Sequence, residues 1–309
     1  MAIPPVIDNA PGALDRRAVQ RNFARAAATA DAHAVLQREI AARMAERLGV
    51  VRLNPQTLLD AGCGTGDALA ELGVRYPGAH RIGVDFALPM LEQAQRRQAQ
   101  LQRTQKPARW LRPRAADGAH WICAAIEALP LPAASVDLAW SNLALQWINE
   151  PEQALAELGR VLRVGGLLMF STLGPDTLQE LRAAFTAAGD CACVHDFIDL
   201  HDWGDLLVAS GFADPVMDME RITLTYPDAR SLVRELKALG AVNALQARSR
   251  GLMGRARWQR AMEALAHSRR DGGKLPATFE VVYGHAWKPE PRFARDGRAI
   301  VRFEGRPPR

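Results

Sequence analysis

An apolar run that closes on an acid leads into a glycine turn at Thr57-Leu58-Leu59-Asp60-Ala61-Gly62-Cys63-Gly64-Thr65-Gly66. Nineteen residues past Gly66, a second apolar run, Arg81-Ile82-Gly83-Val84, ends on Asp85. Alternate glycines let a backbone turn tightly against a ligand, and a carboxylate about 20 residues on can hold a ribose diol. The spacing is G-x-G-x-G, not the G-x-G-x-x-G that packs a helix over a pyrophosphate. Asp60 faces the same crevice, where it repels a phosphate and attracts an ammonium group. A nucleoside carrying an amino-acid ammonium and no phosphate meets all three demands, and S-adenosylmethionine (SAM) is such a cofactor.

Other candidates for chemistry are fewer. Ser141-Asn142-Leu143-Ala144-Leu145-Gln146-Trp147 follows a later apolar run and sets Asn142, Gln146 and Trp147 at a crevice mouth, where α/β folds bind ligands. Arg248, Arg250, Arg255, Arg257 and Arg260 cluster beside Trp258. They form either a face that attracts an acidic partner or an ordinary solvated helix surface. His33 and His285 read as structural. Cys191-Ala192-Cys193 is tighter than a C-x-x-C ligand pair and has no second pair after it. Neither a metal nor a disulfide is therefore expected.

These residues need elements to position them. Strand-like runs recur at 57–60, 81–85, 121–123, 136–140 and 167–171, with helical stretches such as 87–102 and 152–162 between them. Strands alternating with helices imply an α/β fold with a parallel, doubly wound sheet. Ahead of them, 15–48 is patterned as a helix, with Val19 and Phe23, then Leu36, Ile40, Met44 and Leu48 at steps of four. Helices at 178–188 and 202–210, a strand at 216–226, an arginine-rich helical block to about 274 and a strand at 277–287 complete the pattern. The last two strands read as an edge pair. Residues 102–120 read as a surface loop and 1–14 as a disordered lead-in.

The composition is 48% hydrophobic and 24% charged with a net charge of +5, as a packed globule requires. No apolar run reaches a bilayer-spanning length, and the first residues lack a secretory pattern. A cytoplasmic protein without a membrane partner is expected. No aromatic platform or N-P-P-[YF] motif points to nucleic acid.

A glycine turn after the first strand, an acid after the second and a closing antiparallel pair resemble the class I SAM-dependent methyltransferases. That resemblance implies a Rossmann-like, seven-stranded, mostly parallel sheet with an antiparallel edge hairpin. Within that superfamily, the chain is similar to the malonyl-acyl-carrier-protein O-methyltransferases of biotin synthesis. The segments that carry the likeness are Phe23-Ala24-Arg25-Ala26-Ala27, residues 141–147, Ser171-Thr172-Leu173-Gly174-Pro175-Asp176-Thr177-Leu178 and Thr278-Phe279-Glu280-Val281-Val282-Tyr283-Gly284-His285-Ala286-Trp287.

The resemblance implies a lead-in and helical lid at 1–54, a SAM-binding core at 55–226 and 275–289, a helical insertion at 227–274 and a tail at 290–309. It implies cofactor contacts at Asp60, Gly62, Cys63, Gly64, Gly66, Asp85, Phe86, Met90, Ala125, Ile126, Glu127, Asn142 and Leu143. Methyl transfer to the free carboxylate of malonyl-acyl carrier protein would need positioning and no general base. Arg25 on the lid, with Asn142, Gln146 and Trp147, would supply the positioning, and the arginines at 248–260 would dock the carrier. Two positions depart from the family pattern. Ala30 stands where a tyrosine is usual, and Ala125 where an aspartate accepts from the adenine amino group. A lost buried acceptor costs about 1–3 kcal/mol of binding. Glu127 alternates with Ala125 and is expected to point elsewhere. These departures keep two other readings open: a methyltransferase for another small carboxylate, and a SAM-fold protein turned hydroxylase or assembly factor.

Overall fold

A computed structural model describes residues 12–104, 118–189, 193–248, 251, 253–270 and 272–291. Its centre is a seven-stranded sheet: β1 Thr57–Ala61, β2 His80–Asp85, β3 Ala119–Cys123, β4 Val136–Asn142, β5 Leu162–Leu173, β6 Ala213–Tyr226 and β7 Leu275–Trp287. The spatial order is β3-β2-β1-β4-β5-β7-β6. The first five strands pair in parallel, and β7 runs antiparallel to both β5 and β6. The closing hairpin is therefore inserted with its second strand inward. β7 is buried along nearly its whole length, while β6 alternates between half-buried and exposed as the sheet's edge. A register shift between Ala213 and Val216, beside Pro215, interrupts pairing on that edge, where such irregularities are tolerated.

The helices are α1 Arg16–Ala26, α2 Ala30–His33, α3 Val35–Leu48, α4 Asp67–Arg75, α5 Leu88–Thr104, α6 Pro151–Val161, α7 Gln179–Ala187, α8 Leu200–Ala209, α9 Ala229–Ala238 and α10 Arg255–Ala266. Side chains alternate across each central strand, so both faces of the sheet carry a core. On one, Leu58, Leu138, Trp140, Leu167 and Met169 pack with Leu36, Ile40, Met44 and Leu48 of α3. On the other, Leu59, Ala139, Leu168 and Phe170 meet Leu155 and Leu158 of α6 and Trp203 and Leu207 of α8.

The single helix expected over 15–48 is instead three. The Thr29 hydroxyl donates to Ala26 O at 3.1 Å and to Ala238 O at 2.8 Å, which ends α1 and ties the break to the insertion. The alanine-rich stretch between Phe23 and Leu36 offers no apolar stripe to hold one straight helix against the sheet, so this tertiary bond decides the bend. The lead-in before residue 12, the tail after 291 and most of the surface loop lie outside the described residues.

Candidate functional site

A cavity of about 430 Å³ opens at the carboxyl ends of β1, β2 and β4. The strand order reverses between β1 and β4, the position at which open α/β sheets bind ligands. Residues of α1, α2, α3 and α9 roof it, among them Val19, Phe23, Asp31, Gln37, Leu236 and Leu239. The volume is in the range of small-molecule sites, about 300–1,000 Å³.

The floor is the glycine turn. Gly62 has φ +83°, and a Cβ there would lie 2.2 Å from Ala144 Cβ. Gly66 has φ +82°, and its Cβ would lie 2.4 Å from the Trp121 ring. Only glycine lets the loop after β1 lie this close to β3 and to the segment after β4. The loop is fixed by Asp85, whose carboxylate accepts from Gly64 N at 2.9 Å and Ala87 N at 2.8 Å. Burial raises the Asp85 pKa to about 6, against the lowering effect of those two N–H donors.

Asp60 is 1% exposed, and its Oδ2 has no hydrogen-bond partner among the described residues. Burial, reinforced by the nearby Asp85 charge, raises its pKa to about 8. An unpartnered buried carboxyl on a cavity wall is expensive unless a ligand completes it, and an ammonium would do so. The glycine cradle and this orphaned oxygen fit the ammonium and ribose of SAM, and they leave no arrangement suited to a pyrophosphate. Phe86, Met90, Ala125, Ile126 and Glu127 line the adjoining wall.

At the end of β4, Asn142 Oδ1 accepts from Ser171 Oγ at 2.7 Å while its Nδ2 donates to Gln37 O at 3.0 Å. Leu143, at φ +51°, is held in the left-handed region by two bonds from its N–H to Ser171, each 3.1 Å. Gln146 Nε2 donates to Leu143 O at 2.8 Å. Trp147 meets Phe23 edge-on at 5.2 Å between ring centroids. All four residues line the cavity.

Several expectations change. Arg25 is exposed on α1 and is not on the cavity wall; the arginines that line it are Arg16 and Arg38. Glu127 does not point away: it sits in a 3-10 turn, Ile126–Ala128, lines the cavity and pairs with Arg16 at 2.9 Å. The turn breaks the strand alternation from which the opposite direction was inferred. Arg248 is mostly buried and pairs with Asp15 at 2.9 Å, so it is not free to meet a partner. Arg250 lies outside the described residues. Arg255, Arg257 and Arg260 are exposed on α10, which contributes nothing to the cavity wall.

Sequence reasoning also missed a latch. Thr65 Oγ1 donates to Asp31 Oδ1 at 2.5 Å, Arg97 binds both Asp31 and Asp67, and Arg38 donates to Asp31 O at 2.8 Å. This network ties α2 of the roof to the glycine turn. Its members come from four stretches of chain, α2, α3, the glycine turn with the start of α4, and α5, so no single local signal marks it.

Residues 59–170 match the methyltransferase domain family. A malonyl-[acyl-carrier protein] O-methyltransferase of Gallionella capsiferriformans is 51% identical over 289 residues, covering 94% of this chain and 96% of that protein. One of the same name from Laribacter hongkongensis is 51% identical over 297 residues, covering 95% and 97%. The chain belongs to the malonyl-[acyl-carrier protein] O-methyltransferase family. Its fold is also that of a putative methyltransferase from Bacillus halodurans C-125, with TM-score 0.54 at 14% identity, covering 81% of this chain and 99% of that one. As a member of this methyltransferase family the protein is an enzyme, and its cofactor is SAM. No helix among the described residues is long and apolar enough to cross a membrane.

Proposed function

We propose that the protein methylates the free carboxylate of a malonyl thioester carried on acyl carrier protein, giving the methyl ester that opens biotin synthesis. The observation that carries this is the shared name of relatives 51% identical over nearly their full length. The cavity supports it chemically. When bound, the cofactor supplies an electrophilic methyl group on a cationic sulfur. In this reading Asp60 receives the ammonium, Asp85 the ribose diol, and the wall from Phe86 to Met90 and Ala125 to Glu127 flanks the adenine. The glycine turn, Asn142 and Leu143 then border the reacting end.

The acceptor carboxylate is ionised at neutral pH, since such groups titrate near 4, so no residue need remove a proton. What the chain must do is hold the acceptor in line and keep water out. Leu143, Leu173, Leu224, Leu236, Leu239 and Phe279 give the cavity an apolar side fit for that purpose. Gln146 and Trp147 are fixed there, as described above. With Arg25 outside the wall, the two arginines that line it are already engaged, Arg16 with Glu127 and Arg38 with Asp31 and Asp67, so the acceptor is held chiefly by the shape of the cavity.

The test is mass spectrometry of malonyl-carrier and acetyl-carrier incubated with SAM. Methyl ester on the malonyl form alone is expected. Methylation of free malonate with no carrier product would favour the small-carboxylate alternative, and no product from either would return the hydroxylase or assembly reading.

A further inference from the structure

We propose that the outer faces of α1 and α9, the two helices that roof the cavity, form the docking surface for the acidic carrier. The proposal rests on the carrier-bound substrate inferred above. Each helix is two-sided. On α1, Val19 and Phe23 line the cavity while Arg17, Arg21 and Arg25, at steps of four, are exposed on the other side. On α9, Leu236 and the capping Leu239 line the cavity while Arg230, Arg234 and Lys237, at steps of four and three, are exposed. None of these six cations has an ion-pair partner among the described residues.

Opposing charge on the outer faces is confined to the helix caps, Asp15 before α1 and Asp228 before α9, the latter near Arg234. No carboxylate occurs within α1. The single one in α9, Glu235, lines the cavity and accepts from Tyr226 OH at 2.7 Å. The two helices are joined, so the rows belong to one roof. Thr29 Oγ1 donates to Ala238 O, and at Gly240, φ +81°, an added Cβ would lie 3.1 Å from Phe23 Cα. Arg21 is close enough to Asp15 to lower its pKa, together with Arg248 of the insertion, whose hydrogen bond has the larger effect.

A carrier seated on this roof is next to the cavity into which its thioester arm must reach. The arginine cluster of α10 offers no such adjacency, because that helix packs on α7 and α9 and lines none of the cavity. Six like charges without ion-pair partners among the described residues, set against only the two capping carboxylates Asp15 and Asp228, complement an acidic protein and act chiefly on the rate of encounter.

The experiment compares Arg17→Glu/Arg21→Glu and Arg234→Glu/Lys237→Glu with the unaltered protein, on malonyl-carrier and on malonyl-pantetheine. Calorimetric SAM binding serves as the check on folding. Each double reversal is expected to raise KM for malonyl-carrier at least about tenfold at low salt. It should leave kcat and the pantetheine reaction within about twofold, and should flatten the salt dependence of kcat/KM. Folded variants whose carrier KM is unmoved would overturn the surface. So would a rise confined to Arg255→Glu/Arg257→Glu/Arg260→Glu, which would put the carrier on α10. An unaltered protein inactive on malonyl-carrier would instead refute the functional reading, and this surface with it.

Discussion

Asp60→Asn separates charge from shape at the centre of the site. Asp60 is raised to about 8 by burial and by the Asp85 charge. A cationic ammonium binds its ionised form, so the apparent Kd scales as one plus ten to the power (pKa − pH). For a pKa of about 8 that factor is about 4 at pH 7.5 and about 33 at pH 6.5, so SAM affinity falls about eightfold across the unit. The window lies above Asp85, which burial raises only to about 6. Stability of the ligand-free protein moves the other way. The folded pKa lies above the unfolded value, so the folded state holds more protons, and stability is lost as pH rises from about 4 to about 8. At pH 7 the accumulated cost is on the order of 4 kcal/mol. Asn carries no such titration, so ligand-free Asp60→Asn should be more stable at pH 7 by up to that amount. It should bind SAM at least about tenfold more weakly, since a charge-assisted bond contributes about 1.5–3 kcal/mol. Calorimetry at pH 6.5, 7.0 and 7.5 with urea unfolding at the same pH values decides the matter. An affinity of the unaltered protein flat over this range would refute the reasoning, as would an eightfold slope surviving in Asp60→Asn.

Gly62→Ala places a Cβ 2.2 Å from that of Ala144 at φ +83°, and urea unfolding should register a loss of about 2–4 kcal/mol along with cofactor binding. Ala125→Asp should strengthen SAM binding about tenfold by restoring an acceptor for the adenine amino group, measured by calorimetry; unchanged affinity would mean that Glu127 already serves. Arg248→Ala removes the pair with Asp15 and two bonds to backbone carbonyls, at 2.6 and 3.4 Å. Hydrogen exchange should rise across α1 while the central strands stay protected, with a global loss of about 1 kcal/mol.

The floor of the cavity was legible in the sequence. A G-x-G-x-G turn between apolar strands, bracketed by Asp60 and Asp85, is a local pattern, because backbone conformation and strand position fix where those residues sit. The same holds for Asn142, which ends a strand of the parallel set, and for Gln146 and Trp147 in the 3-10 turn just after it. The strand alternation likewise gave the sheet. The roof was not legible. Whether 15–48 is one helix or three turns on a bond from Thr29 to Ala238, some two hundred residues away in the chain.

The sequence by itself therefore determined the α/β class, the glycine turn and the carboxylates beneath it, since each follows from periodicity and spacing within some thirty residues. Only the tertiary structure decided which charges face the cavity. It turned Arg25 outward, spent Arg248 on Asp15 and brought Glu127, Arg16 and Arg38 to the wall. An arginine on an amphipathic helix carries no local mark of what lies opposite it. Its partner is fixed by how distant helices pack, and by the cost of leaving a half-buried charge alone.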